Sequence, residues 1–306
     1  MRKRLGLILR VLGTAAALAW IATRVDLGAA REALARIPAT AFALATALVA
    51  ANVVAGALRW RVVLRAYGAT RIPRLGALVR LYFVAFFYNN YLPGAVAGDV
   101  ARGVVTRDAF DGEGATGALA VVLVERALGL FGLFALLAAG LVAAGGALDT
   151  RALWWWTVLG SAGSFALVAS IPLARRLAPH LPGPLARIAG KLPELRDGRA
   201  FAVALVLSIA TQALVATAGW VLLAQLAPID LPASLLVVPL AAATAFLPIT
   251  VGGAGAREAV YVGLCGQLFG MAEANALAAS LGLWLAHLIV GAAGGVAQLA
   301  RRRDAA

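Results

Sequence analysis

Two stretches, Leu92-Pro93-Gly94-Ala95-Val96-Ala97-Gly98-Asp99-Val100-Ala101-Arg102 and Leu247-Pro248-Ile249-Thr250-Val251-Gly252-Gly253-Ala254-Gly255-Ala256-Arg257, decide how this chain is read. Each sets a Leu-Pro pair, then a glycine, then an arginine at the same internal spacing, and the two copies lie 155 residues apart. Around them the 306-residue chain is 62% apolar and 13% charged with a mean hydropathy of +0.90. One soluble core cannot hide that much apolar surface, so the chain reads as an integral membrane protein. Lipid does not tolerate a Pro-Gly pair followed by Asp99, Arg102, Arg107 and Asp108 in a straight crossing; a helix that breaks and turns back inside protein answers the problem.

Working outward, six apolar segments are long enough to cross: 5–23, 39–58, 115–147, 152–174, 200–226 and 274–298. The first could be a signal peptide, but the internal repeat needs it as a retained span. The net charge of +13 does not point to nucleic acid, because the basic residues fall in short clusters between apolar runs. Those clusters, at 2–10, at Arg59, Arg61, Arg65, Arg71, Arg74 and Arg80, at 175–199 and at 301–303, mark cytoplasmic ends. Asp26, Glu32, Asp149, Asp230 and Glu273 mark the outer ends, and Trp154, Trp155 and Trp156 form an interfacial belt. The lone Cys265, in an apolar run, reads as packing. The proline-rich connector 175–199 reads as a solvated cytoplasmic loop.

Counting crossings, the segment between the second and third spans must begin and end inside, and the one between the fifth and sixth must begin and end outside. Both are read as re-entrant hairpins, the first turning at Pro93 and Gly94 with Gly98 close behind, the second between Pro248 and Gly255 with Gly252 and Gly253. The 155-residue shift carries each span of the first half onto one of the second. The expected fold is therefore all-α and integral to the membrane, with six spanning helices and two re-entrant helical hairpins arranged as two inverted-topology repeats, 1–148 and 149–306. Paired broken helices of this kind are the sequence pattern of secondary transporters, with the substrate site between the halves.

The second arm of each hairpin starts inside the membrane, so its free N–H groups and positive dipole end form a seat for phosphate. Arg102 and Arg257 fall in the first turns of those arms, and a guanidinium there clamps a phosphodiester in two-point geometry. An arginine at mid-membrane costs about 2.5–3.5 kcal/mol on insertion scales, so Arg102, Arg126 and Arg257 are expected to meet water, acids or substrate. Asp99 at i to i+3 from Arg102, Glu125 and Glu258 are the candidate partners. Neighbours along a helix do not face each other, so Glu125 with Arg126 and Glu258 with Arg257 are not expected as simple pairs, and pairing should cross between elements. Asn89 and Asn90 either line the same cavity or satisfy freed carbonyls. Tyr82, Tyr88, Tyr91 and Trp284 read as anchors, and His287 as a helix-to-helix hydrogen bond.

The run from Tyr82 to Arg102, with Arg59-Trp60, Val124-Glu125-Arg126, Gly129-Leu130, Gly252-Gly253-Ala254-Gly255-Ala256-Arg257-Glu258 and Trp284, resembles the lysylphosphatidylglycerol synthase transmembrane-region family over nearly the whole chain. That resemblance implies an inner-membrane protein of bacteria that moves a lipid headgroup between leaflets. The sequence stops at Arg301-Arg302-Arg303-Asp304-Ala305-Ala306, so the expectation is a stand-alone member without the soluble synthase domain. Val96-Ala97-Gly98 departs from the glycine pair that often precedes the aspartate in the family.

The expected function is a lipid flippase-like transporter of a phosphate-bearing, in one version aminoacylated, headgroup. The termini are expected in the cytoplasm, and a membrane phospholipid or glycolipid as substrate. No nucleic acid, cofactor or metal is expected; a homo-oligomer or a separate lipid-synthesising enzyme is the expected protein partner. No Walker motif, HExxH site or nucleophile motif is present, so the chain is not expected to be an enzyme. Two alternatives stand: an integral-membrane enzyme using Asp99 or Glu125 as acid–base groups, and a small-solute or ion carrier.

Overall fold

A computed structural model describes residues 2–92, 97–110, 114–145, 150–246, 250 and 252–304, with side chains described from residue 11 to residue 299. The hairpin tips Pro93, Gly94 and Pro248, and the outward acid Asp149, lie outside the described residues.

The described chain is helical throughout: α1 (Arg2–Arg24), α2 (Leu27–Arg36), α3 (Ala39–Ala66), α4 (Leu75–Tyr91), α5 (Ala97–Val105), α6 (Gly114–Ala143), α7 (Arg151–Leu177), α8 (Gly183–Gly190), α9 (Gly198–Leu223), α10 (Leu231–Ser234), α11 (Val238–Ala243), α12 (Ala256–Phe269) and α13 (Glu273–Asp304). Local chemistry sets the boundaries. Asp26, Asp197 and Asp230 cap α2, α9 and α10 by accepting from the N–H groups of Ala29, Ala200 and Ala233. Gly270 closes α12 in the left-handed conformation.

Among the described residues α3, α6, α7, α9 and α13 are long and apolar enough to cross a membrane. The expected first span lies in α1, which turns through 87° into α2, and this bent pair makes a sixth candidate. Asp26 causes the corner, because it ends one helix and caps the next. α3 and α9 pack against each other at the centre, where Val49 and Val53 share one buried cluster with Val215, Ala216, Ala218 and Leu222. α7 keeps Trp154, Trp155 and Trp156 exposed, as a lipid-facing helix does.

Between α3 and α6 the chain makes a helical hairpin. Gly98 on α5 packs on Ala85 and takes the Asn89 side chain on its N–H at 2.9 Å, while Arg102 lies over Tyr82. The partners descend along α4 as the chain ascends along α5, so the two arms are antiparallel. A Cβ on Gly98 would lie 1.9 Å from the Ala85 carbonyl oxygen, so only glycine lets α5 approach this closely. The hairpin is closed at its base by Thr70 N–H donating to the Ala109 carbonyl at 2.9 Å.

A second helical hairpin joins α10, α11 and the turn Thr244–Phe246 to α12. Thr244 and Ala245 abut Gly253, and Val238 and Tyr261 meet over Gly219, which again makes antiparallel arms. Gly252, Gly253 and Gly255 all carry positive φ, of 63°, 84° and 82°, the conformation that returns the chain at this tip. α13 packs along α4, with Tyr91 Oη donating to the Leu288 carbonyl.

α3 continues to Ala66, two turns past the apolar segment 39–58, so Arg59, Arg61 and Arg65 of the basic cluster are helical, and Arg59 is buried. The connector 175–199 is not merely a solvated loop: it contains α8, an Arg175–Glu194 ion pair of 2.9 Å, and an Arg196 N–H that donates to the free Ala66 carbonyl at the end of α3.

Candidate functional site

The buried charges of the first half converge where α3, α4, α5, α6 and α9 meet. Glu125 on α6 is 1% exposed, and its Oε1 accepts from Arg59 Nη2 at 3.1 Å and from Tyr82 Oη at 2.9 Å. Its Oε2 lies 2.5 Å from Arg102 Nη1, an ionic contact whose angles fall outside hydrogen-bond geometry. Arg102 also donates from Nη2 to Asp99 Oδ1 at 3.0 Å, the i to i+3 pair expected from spacing. Its guanidinium lies between the rings of Trp60 and Tyr82, 4.3 and 4.5 Å from their centroids.

Arg126 donates from Nε to Asp99 Oδ2 at 2.6 Å, and the Asn89 amide donates to Asp99 Oδ1 at 3.2 Å. Arg59 completes the set by donating from Nη1 to Thr211 Oγ1 on α9. The expected crossed pairing between elements is therefore present: Glu125 serves Arg102 and Arg59, and Arg126 serves Asp99. Such a cluster is stable only when each charge has its partner, because removing one member of a buried pair costs about 3–5 kcal/mol.

Two cavities meet at this cluster. A smaller one, of about 160 Å³, is bounded by Arg59, Tyr82, Asp99, Arg102, Glu125 and Gln212. A larger one, of about 280 Å³, lies between the two hairpins and is lined by Asn89, Asn90 and Arg126 on one side and by Thr244, Gly253, Arg257 and Tyr261 on the other. Phe86, Asn89, Arg126 and Phe246 border both. Across the larger cavity, Arg257 has Arg126 for its counterpart. Arg102, 2% exposed and enclosed by two acids and two rings, lines only the smaller cavity. Arg102 and Arg257 thus line two adjoining cavities.

The second half also departs from expectation at Glu258. It does pair with its neighbour: Arg257 Nε donates to Glu258 Oε1 at 2.8 Å and Nη2 bears on the same oxygen. The reason is local. These residues occupy the first turn of α12, where Glu258 Oε2 reaches back to the Gly255 N–H at 2.7 Å and so swings its other oxygen over Arg257. Asn90 lines the larger cavity, and its amide donates to the Phe86 carbonyl one turn back within α4. His287 lines the cavity and stacks on Phe86, but its Nδ1 donates to Leu283 of its own helix rather than to another. Cys265 is buried, as expected of packing.

Sequence reading missed Arg59, Thr211, Gln212 and Tyr261. Arg59 carries a signal that could have found it: Gly56 one turn earlier lies on the same helical face and opens room for Tyr82. Tyr261 is fully buried beside the larger cavity, with its hydroxyl unpartnered among the described residues.

An apolar groove of about 430 Å³ runs between α1, α12 and α13, lined by Leu18, Ile21, Leu277, Leu281 and Trp284. It ends on Arg257 and Glu258, so Arg257 borders both the polar cavity and this groove.

No curated protein matches the sequence. The family model described as lysylphosphatidylglycerol synthase TM region matches residues 7–295 of the 306, and the chain belongs to that family.

Proposed function

We propose that this protein is a lipid transporter, not an enzyme, that passes a phosphate-bearing headgroup between leaflets through the cavity between the two hairpins while the acyl chains stay in lipid. The observation that carries this reading is the double placement of Arg257, on a polar cavity at one side and an apolar groove at the other. That layout suits one amphipathic molecule. A water-soluble ion has no use for the groove, and family membership supports a lipid cargo.

Alternating access is read from internal pairing. With the 155-residue shift, α2 falls on α8, α3 on α9, α4 on α10 with α11, and α6 on α13. The packing exchanges in the same way: α13 lies on α4, and α6 lies on α11. This supports two inverted repeats, 1–148 and 149–306, whose hairpins dip into the bilayer from opposite faces of a bacterial inner membrane, with both termini in the cytoplasm. Arg126, Arg257, Asn89 and Asn90 are the groups assigned to the headgroup; Asp99, Glu125, Arg102 and Glu258 hold those groups in position.

Reconstitution into vesicles with tail-labelled phospholipid, followed by chemical quenching of the outer leaflet, tests the proposal. Accelerated exchange that is slowed in Arg126→Ala and Arg257→Ala supports it; no acceleration rejects it. Mass spectrometry of the recovered lipid should show unchanged masses, which separates transport from catalysis.

A further inference from the structure

The charges around the cavity carry the transport reading one step further: we infer that the cavity, taken as the headgroup path, selects headgroups with net negative charge and rejects aminoacylated, cationic ones. The selectivity rests on that transport reading. An ammonium-bearing head needs a carboxylate, and each acid of the site is already occupied. Asp99 accepts from Arg102, Arg126 and Asn89. Glu125 accepts from Arg59 and Tyr82 and touches Arg102. Glu258 is held by Arg257 and the Gly255 N–H. Among the described residues four guanidiniums, Arg59, Arg102, Arg126 and Arg257, face these three carboxylates.

Among the described residues the larger cavity is lined by Arg126 and Arg257 and by no carboxylate. The Tyr261 hydroxyl adds a buried donor without a partner among the described residues, in a place where an acceptor oxygen would satisfy it.

Comparison of the halves gives the same answer from an independent direction. At the 155-residue shift Arg102 falls on Arg257, but Asp99 falls on Ala254 and Glu125 on Ser280. Ser280 keeps the place, donating to Glu258 Oε1 at 3.4 Å, without the charge. The first hairpin's arginine thus meets two acids, whereas the second hairpin's arginine meets one, its neighbour Glu258.

The test uses tail-labelled phosphatidylglycerol (net −1), phosphatidylethanolamine (zwitterionic) and the lysyl ester of phosphatidylglycerol (net +1) in proteoliposomes of the full chain. Phosphatidylglycerol should exchange at least about tenfold faster than its lysyl ester. The variant Ala254→Asp/Ser280→Glu, checked for wild-type thermal stability, should narrow or invert that ratio. Equal rates, or a faster lysyl ester, would overturn the charge selectivity while leaving transport standing. If no lipid moves, transport fails, and the selectivity is then decided by native mass spectrometry of the protein from mixed nanodiscs. Retention of phosphatidylglycerol over the lysyl ester upholds it, and equal or reversed retention overturns it.

Discussion

Asp99 Oδ2 accepts a 2.6 Å hydrogen bond from Arg126 Nε, tying the returning arm of the first hairpin to α6 at the wall that the two cavities share. The same carboxylate holds Arg102 through its other oxygen, so one acid orients two arginines of unlike duty. Arg102 faces inward to the lock around Glu125; Arg126 faces the cavity between hairpins. Asp99→Asn should therefore slow lipid exchange by misplacing Arg126, with a smaller loss of stability than changes at Glu125, because the amide oxygen at 99 still accepts and Arg102 keeps its contact with Glu125. Exchange rates and thermal unfolding of the same preparation read both effects.

Glu125→Ala should be among the most destabilising single changes in the chain. It leaves Arg59 and Arg102 buried with their shared anion gone, a loss of about 3–5 kcal/mol by comparison with broken buried pairs. Removing Arg59 as well, in Arg59→Leu/Glu125→Ala, should recover part of that loss, and a double-mutant cycle on thermal or denaturant unfolding in detergent measures how much. Strict additivity would contradict the lock.

Arg257→Ala should lower lipid exchange about tenfold or more, the scale of one charge-assisted hydrogen bond of about 1.5–3 kcal/mol. Arg257→Lys should restore only part of the rate, since a point charge cannot replace the two-pronged guanidinium. Full restoration by lysine would mean that charge alone suffices.

Gly98→Ala should weaken the fold by about 1–3 kcal/mol, as an overpacked contact does, because its Cβ meets the Ala85 carbonyl oxygen and forces the hairpin arms apart. Gly263→Ala is the control: nothing lies within 4 Å of that position, and alanine in mid-helix should be neutral or stabilising by about 0.5–1 kcal/mol. Melting curves of the two variants in one detergent compare them directly.

Much of this architecture is legible in the sequence. The long apolar runs announce six spans, of which five are single long helices and the first bends into α2, and the parity of basic clusters demands that two segments return on themselves, as Gly98 on Ala85 and Gly253 on Thr244 do. The Asp99–Arg102 spacing and the crossed service of Glu125 follow from helix periodicity. Other features are hidden because their causes are tertiary. Arg59 sits in a run of arginines without acids, and its partner lies 66 residues away. Arg257 with Glu258 defies the rule for adjacent residues because a cap, not a helix face, sets the rotamer. That Arg126, rather than Arg102, faces the second hairpin depends on which acids each arginine has already found.

Transport through the cavity requires the two hairpins to open toward opposite sides of the membrane, and sidedness labelling decides whether they do. In a Cys265→Ala background, single cysteines replace exposed residues at the base of each hairpin, Arg74→Cys for the first and Pro228→Cys for the second, and intact cells are treated with an impermeant thiol reagent. The cysteine at 228 should react from outside, and the one at 74 only after the membrane is opened. Labelling of both from the same side would contradict the inverted arrangement.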